Sequence, residues 1–175
     1  MTGERFAVFL RAINVGRRRV KMADLRTAYE RAGYSDVETF LASGNVILGS
    51  TTRPDPGALS LVVADAFAFE SEAFVRSGPD LVSIVARNPW PDPGSLVEVS
   101  LLDREAPEEA ARRLEAGVLP PEGLMVSGME VYFLREGKGI DTVHKEAATV
   151  RALGQPTTRR GMRTILDLHR RFFGD

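Results

Sequence analysis

Val37-Glu38-Thr39-Phe40-Leu41-Ala42-Ser43-Gly44-Asn45-Val46-Ile47-Leu48 is the stretch on which the fold turns. Two β-rich runs, 37–42 and 46–48, flank Ser43-Gly44-Asn45. That connection is three residues long, and its glycine readily takes positive φ, so the runs are expected to pair as an antiparallel hairpin. Upstream, Met22, Leu25, Tyr29 and Ala32 recur at helical spacing, and Gly33 stands where a left-handed residue ends a helix. Before them, Arg5 to Val15 alternates Phe6, Val8 and Leu10 with Ala7, Phe9 and Arg11, a strand that runs out into a loop at Asn14-Val15-Gly16. Downstream, Asp55-Pro56 supplies an N-cap and a first-turn proline. The helix that follows carries Leu59, Val62, Val63, Ala66 and Phe67 and is expected to be largely buried. Glu72 to Arg76 reads as a fourth strand. The order βαββαβ over residues 5–76 is the ferredoxin-like pattern, an antiparallel sheet with both helices on one face.

The second half repeats the plan without repeating the residues. A helix over 79–87 leads into Asn88-Pro89-Trp90-Pro91-Asp92-Pro93-Gly94, too rich in proline for helix or inner strand, and Trp90 is expected to pack on the seam between the halves. A strand at 96–102, a helix at 107–116 and a hairpin around Ser127-Gly128-Met129 then follow. Two closing helices are expected, one over 142–153 between Asp141 and Gly154, the other over roughly 161–173 with His169 on its apolar stripe beside Leu166. The predicted class is therefore α+β. Two ferredoxin-like subdomains with antiparallel sheets, 1–78 and 79–175, are expected to form one cooperative unit, the second of them a βαββα unit with an added helix.

Composition narrows the chemistry. The chain has 175 residues and no cysteine, which removes disulfides, thiolate zinc sites and cysteine nucleophiles, and is consistent with a reducing, cytoplasmic location. No run approaches the ~18 apolar residues of a membrane span, and the first apolar segment is too short for a signal peptide core, so no membrane partner is expected. A net charge of −1 argues against a general electrostatic grip on nucleic acid. The distribution is uneven, however. Arg11, Arg17, Arg18, Arg19 and Lys21 form one basic cluster; Arg151, Arg159, Arg160, Arg163, Arg170 and Arg171 form another.

Arg11-Ala12-Ile13-Asn14-Val15-Gly16, Lys21-Met22, Ser43-Gly44-Asn45-Val46, Asn88-Pro89-Trp90, Val131-Tyr132-Phe133-Leu134 and Thr157-Thr158-Arg159 with Arg163-Thr164 occur in the order seen in a bacterial family. The chain resembles domain-of-unknown-function family 1697. The resemblance implies two interlocked ferredoxin-like subdomains and brings no reaction, cofactor or catalytic residue. Two departures stand out: Ala12 replaces the family's glycine, and Arg160-Gly161-Met162 stands where the family shows Arg-Asn-Trp.

The candidate chemistry is anion binding. A glycine-containing turn feeding a helix start presents free N–H groups, and nearby arginines add charge-assisted bonds, which nominates Arg11, Asn14, Gly16 and Arg17. Ser43 and Asn45 are candidate ligand contacts, although these residue types also suit a hairpin loop for backbone reasons. Arg159 and Arg163 would join the site if the clusters meet. No nucleophile elbow surrounds Ser43, and neither His169 nor His144, which follows Gly137-Lys138-Gly139, has the setting of a catalytic base, so no catalytic residue is assigned. No metal-ligand spacing is present, and no cofactor is indicated. The leading expectation is a module binding a phosphate-containing small molecule, a nucleotide or a nucleic-acid backbone. The alternatives are an enzyme acting on a small anionic substrate between the subdomains, and a homodimeric or protein-interaction module. Aromatic base stacking in the manner of RNA-recognition motifs is disfavoured, because the strand Val46-Ile47-Leu48 carries no aromatic.

Overall fold

The computed structural model describes residues 3–135 and 145–174. The chain divides into two compact units, Met1–Leu81 with Leu168–Asp175, and Val82–Asp167.

In the first unit the elements are β1 (Glu4–Leu10), α1 (Met22–Arg31), β2 (Ser35–Phe40), β3 (Asn45–Ser50), α2 (Pro56–Phe67) and β4 (Ala73–Ser77). The four strands form one antiparallel sheet in the order β2-β3-β1-β4. Phe6, Val8 and Leu10 face a core with Leu25, Tyr29, Leu59 and Val63 of the two helices. The Tyr29 hydroxyl donates to the Leu59 carbonyl at 3.1 Å, fixing α1 against α2 inside that core. Burial pushes the Tyr29 phenol far above its ordinary pKa, so it remains a donor. Asp55 caps α2 as expected, accepting from the Ala58 N–H at 2.8 Å.

Three expectations need correction here. The first strand ends at Leu10, not Val15, and the eleven residues 11–21 lie outside regular structure. Helix α2 is not buried all round: Leu59 and Val63 are enclosed, Val62 and Phe67 half-buried, and Leu61 63% exposed, since a helix laid on a sheet encloses only one face. The C-terminal end of the chain also belongs with this unit. Phe172 is buried edge-to-face against Phe40 with ring centroids 5.9 Å apart, and Arg5 donates to its carbonyl.

The helix α3 (Gly78–Ala86) and the closing helix α6 (Met162–Phe172) each cross the division between units. The second unit adds β5 (Leu96–Leu102), α4 (Glu108–Ala116), β6 (Gly123–Ser127), β7 (Glu130–Arg135), α5 (Glu146–Leu153) and β8 (Thr157–Gly161). Its sheet order, β6-β7-β5-β8, is the first unit's order again. Strand β8 is absent from the sequence reading and completes a second βαββαβ. Its residues, Thr-Thr-Arg-Arg-Gly, contain no apolar side chain to alternate, yet Thr157, Thr158 and Arg160 are buried. Helix α5 ends at Gly154, left-handed with φ 64° as expected; the predicted start at Thr142, the cap Asp141 and His144 lie outside the described residues. On α6 the buried stripe is Met162, Ile165, Leu168 and Phe172. His169 sits one position off it, half-exposed and stacked on Phe173. Trp90 lies against Gly123 of β6, where any Cβ would collide with its indole. Among the described residues no helix is long and apolar enough to cross a membrane.

Candidate anion-binding loop

The chain leaves the first sheet at Arg11, whose N–H donates to the Glu72 carbonyl at 2.9 Å and whose own carbonyl accepts from Ser71 Oγ at 2.7 Å. Positive φ then recurs at every second residue: Ala12 (56°), Asn14 (54°) and Gly16 (62°). Positive φ at alternate positions is the backbone pattern from which anion-binding nests are built. The N–H groups of Ala12, Ile13, Asn14, Val15, Gly16 and Arg17 make no hydrogen bond to another described residue.

Asn14 closes the loop. Its Oδ1 accepts from the Val20 N–H at 2.6 Å, and its Nδ2 donates to the carbonyls of Val20 at 3.0 Å and Ala42 at 2.9 Å. The third bond ties the loop to the β2–β3 hairpin. Ile13 and Val20 are buried beneath it, and Gly44 is needed there twice over, because its φ is 79° and a Cβ would stand 2.9 Å from Ile13 Cγ1. Asn45 is fully buried, its Nδ2 donating to the Phe40 carbonyl at 2.8 Å and to Ser43 Oγ at 3.1 Å. Ser43 and Asn45 therefore hold the hairpin on which the loop rests.

The arginines of the loop have separate tasks. Arg11 pairs with Glu72 at 3.0 Å. Arg18 turns inward, its guanidinium 4.5 Å from the Phe69 ring centroid, and donates to the Ala12 and Glu70 carbonyls. Arg19 is exposed and donates to the Gly16 and Arg18 carbonyls. Arg17 and Lys21 are exposed as well. None of Arg17, Arg19 and Lys21 has a carboxylate at ion-pair distance among the described residues. Sequence reasoning placed Arg18 in one basic cluster with the loop's other cations, and the fold lays it over Phe69. The signal for its inward turn is the alternation with buried Val20 two residues on.

Of the second cluster, Arg170 and Arg171 belong to the first unit, while Arg151, Arg159, Arg160 and Arg163 lie in the second, where the arginines are organised differently. Arg159 is mostly buried with its guanidinium carbon 3.8 Å over the Phe133 ring. It donates to Ser100 Oγ at 3.0 Å and Thr149 Oγ1 at 3.3 Å, and lies 3.7 Å from Glu98, which also pairs with Arg135. Burial lowers its pKa, with Glu98 and Glu146 opposing. Arg160 is more deeply enclosed; desolvation brings it down to about 10, and it donates to Thr158 Oγ1 and the Arg159 carbonyl. Arg163 is exposed on α6 and faces Asp167 at 3.7 Å. Two open grooves, about 480 Å³ between α4 and α5 and about 730 Å³ between α1 and α2, are lined by none of the nominated residues. Among the described residues no group of three or more metal-ligating side chains gathers.

SP0830, a conserved bacterial protein from Streptococcus pneumoniae, has a solved structure that superposes with a TM-score of 0.78 at 21% identity, covering 99% of each chain. That likeness shows the fold. No curated protein matches the chain. The family model for DUF1697, proteins of unknown function, matches residues 4–132, from β1 into β7, and the chain belongs to that family.

Proposed function

We propose that the protein is a binding module for a phosphate-containing anion, and that loop 11–21 is its contact surface. The observation that carries the reading is the coincidence of three exposed cations without carboxylate partners, Arg17, Arg19 and Lys21, with a run of unengaged backbone N–H groups at residues 12–17. Either feature alone is ordinary on a surface. Together they supply the directional donors and the charge that recognition of an oxyanion uses. Asn14 and Gly16 serve by shape, Asn14 pinning the loop and Gly16 leaving open space above its Cα. Arg11, pinned by Glu72, sets where the loop begins.

Thermal unfolding with sulfate, phosphate or pyrophosphate at constant ionic strength tests this. An anion at ten times its Kd stabilises the native state by about 1.4 kcal/mol, or roughly 3–6 °C for a chain of this size. Arg17→Ala and Arg19→Ala should remove the shift without lowering the unliganded Tm. Shifts that survive both substitutions would place the anion elsewhere.

A further inference from the structure

Each unit has an open groove between the helices that follow its first and third strands, and the two grooves differ in what lines them. That of the first unit is lined by α1, its cap residue Ala32 and α2, with Asp24 and Asp65 beside Arg31. That of the second, about 480 Å³, passes between α4 and α5 and reaches the sheet at Leu124 and Phe133. Such a volume suits a small molecule. Arg113, Thr149 and Arg151 are the polar side chains on its lining, and all three can donate hydrogen bonds. Among the described residues no carboxylate lines it. Arg113 and Arg151 are exposed at the mouth, whereas Phe133 and Thr149 are buried at the bottom. Arg113 pairs with Glu109 at 3.1 Å; Arg151 has no carboxylate at ion-pair distance among the described residues.

What lies under this groove has no counterpart in the first unit. By strand register Phe6, Val8 and Val75, all in the first unit's hydrocarbon core, correspond to Glu98, Ser100 and Arg159. The Arg159 guanidinium lies 3.8 Å over Phe133 and donates to Thr149 Oγ1, so its contacts include both buried residues at the bottom of the groove. Burying a cation costs stability, and the first unit folds on hydrocarbon alone at those positions. With its oxygen taken by Arg159, the Thr149 hydroxyl has its proton to give, and it donates to no other described residue. The groove thus combines apolar walls with donors at mouth and floor. A neutral apolar ligand would leave those donors unpaired, and inorganic phosphate would leave the walls uncovered. We propose that the groove binds a small carboxylic acid with an apolar body, Leu114, Leu124 and Phe133 covering the hydrocarbon and Arg151 meeting the carboxylate. The site belongs to the other unit and goes beyond the anion-binding reading of loop 11–21 without depending on it.

The experiment titrates the isotope-labelled full chain with octanoate, octanol and octylammonium at constant ionic strength, following amide chemical shifts by NMR. Octanoate should move the amides of Leu114, Phe133, Thr149 and Arg151 along one saturating curve. Octanol, which fills the same walls without the charge, should bind about tenfold more weakly, and octylammonium more weakly still. Arg151→Gln should weaken octanoate about three- to tenfold while leaving octanol unchanged. Ala152→Trp, at an exposed position of the lining, should block octanoate and octanol together with little change in melting temperature. Octanol binding as tightly as octanoate, shifts confined to residues outside the groove, octanoate affinity untouched by both substitutions, or no shifts with any of the three ligands would each overturn the proposal. Arg17→Ala separates the two readings: it should remove the stabilisation by phosphate and leave the octanoate curve as it is. Loss of octanoate binding in that variant would overturn the groove and assign octanoate to loop 11–21.

Discussion

Replacing Asn14 by alanine tests the architecture of the loop more directly than removing any of its charges. The side chain satisfies the Val20 N–H at 2.6 Å, in a residue only 6% exposed, and bonds two carbonyls at 3.0 and 2.9 Å. Leaving a buried backbone donor unpaired costs about 1–3 kcal/mol. The bond to Ala42 lies in exposed hairpin and is largely replaceable by water. Alanine at φ 54° adds about 1 kcal/mol, because asparagine tolerates the left-handed region better. The expected loss is therefore about 2–4 kcal/mol, which lowers Tm by roughly 4–16 °C. Asn14→Gly removes the same bonds but not the backbone freedom, and should be less damaging than alanine by about 1 kcal/mol. Urea denaturation of the three proteins, comparing midpoints at constant m-value, measures both quantities. A loss under about 1 kcal/mol for alanine, or a glycine variant less stable than the alanine one, would refute the claim that this side chain shapes the loop.

Two other substitutions probe what lies beneath and beside it. Gly44→Ala meets Ile13 at 2.9 Å and requires a left-handed alanine, so it should destabilise by more than about 2 kcal/mol in the same denaturation assay and reduce anion binding with it. Asp80 starts α3, accepting from the Ser77 N–H at 2.8 Å and from Arg53 at 3.0 Å. Burial alone would raise its carboxyl pKa, but the Ser77 and Arg53 bonds outweigh it and the net shift is downward. A depressed folded pKa stabilises above the unfolded value, and the contribution disappears as pH falls through the folded one. Asp80→Ala should thus cost about 1–2 kcal/mol at neutral pH, and its deficit against the native chain should shrink steadily below about pH 4 in pH-resolved melts.

How much of this could be read beforehand follows from which residues carried apolar periodicity. The hairpin, α1 and β5 were legible because Gly44, the stripe Met22, Leu25 and Tyr29, and the run Leu96–Leu102 each state their geometry locally. Strand β8 was not, since Thr157, Thr158 and Arg160 become buried only through partners on β5 that are distant in sequence. The same blindness affects the site. A run of arginines reads as one basic patch, whereas the folded chain divides it into Arg11 held by Glu72, Arg18 laid on Phe69 and three cations left outside. Glu72 and Phe69 lie some fifty to sixty residues further along the chain than their partners, and nothing local announces them.

The strongest argument that loop 11–21 is there for a purpose comes from the chain's own second unit. The pairings of β1 with β3 and β4 match those of β5 with β7 and β8 in register. Leu10 N–H donates to the Gly44 carbonyl and Leu102 N–H to the Met129 carbonyl, each at 2.8 Å. Phe9 faces Asn45 as Leu101 faces Glu130, and Ala7 faces Arg76 as Val99 faces Arg160. Immediately after this shared register the units part. From β5 to α4 the chain needs only Asp103 to Pro107; from β1 to α1 it uses Arg11 to Lys21, more than twice the length, for the same step in the same topology. Connections in compact domains are usually two to six residues, roughly what the second unit has, so the fold does not require the extra length. The extra residues bring strain at Ala12, donors left unengaged and cations left unpaired, all of which oppose stability. A segment that the fold does not need, and whose features cost stability, is the place to test for the proposed binding function.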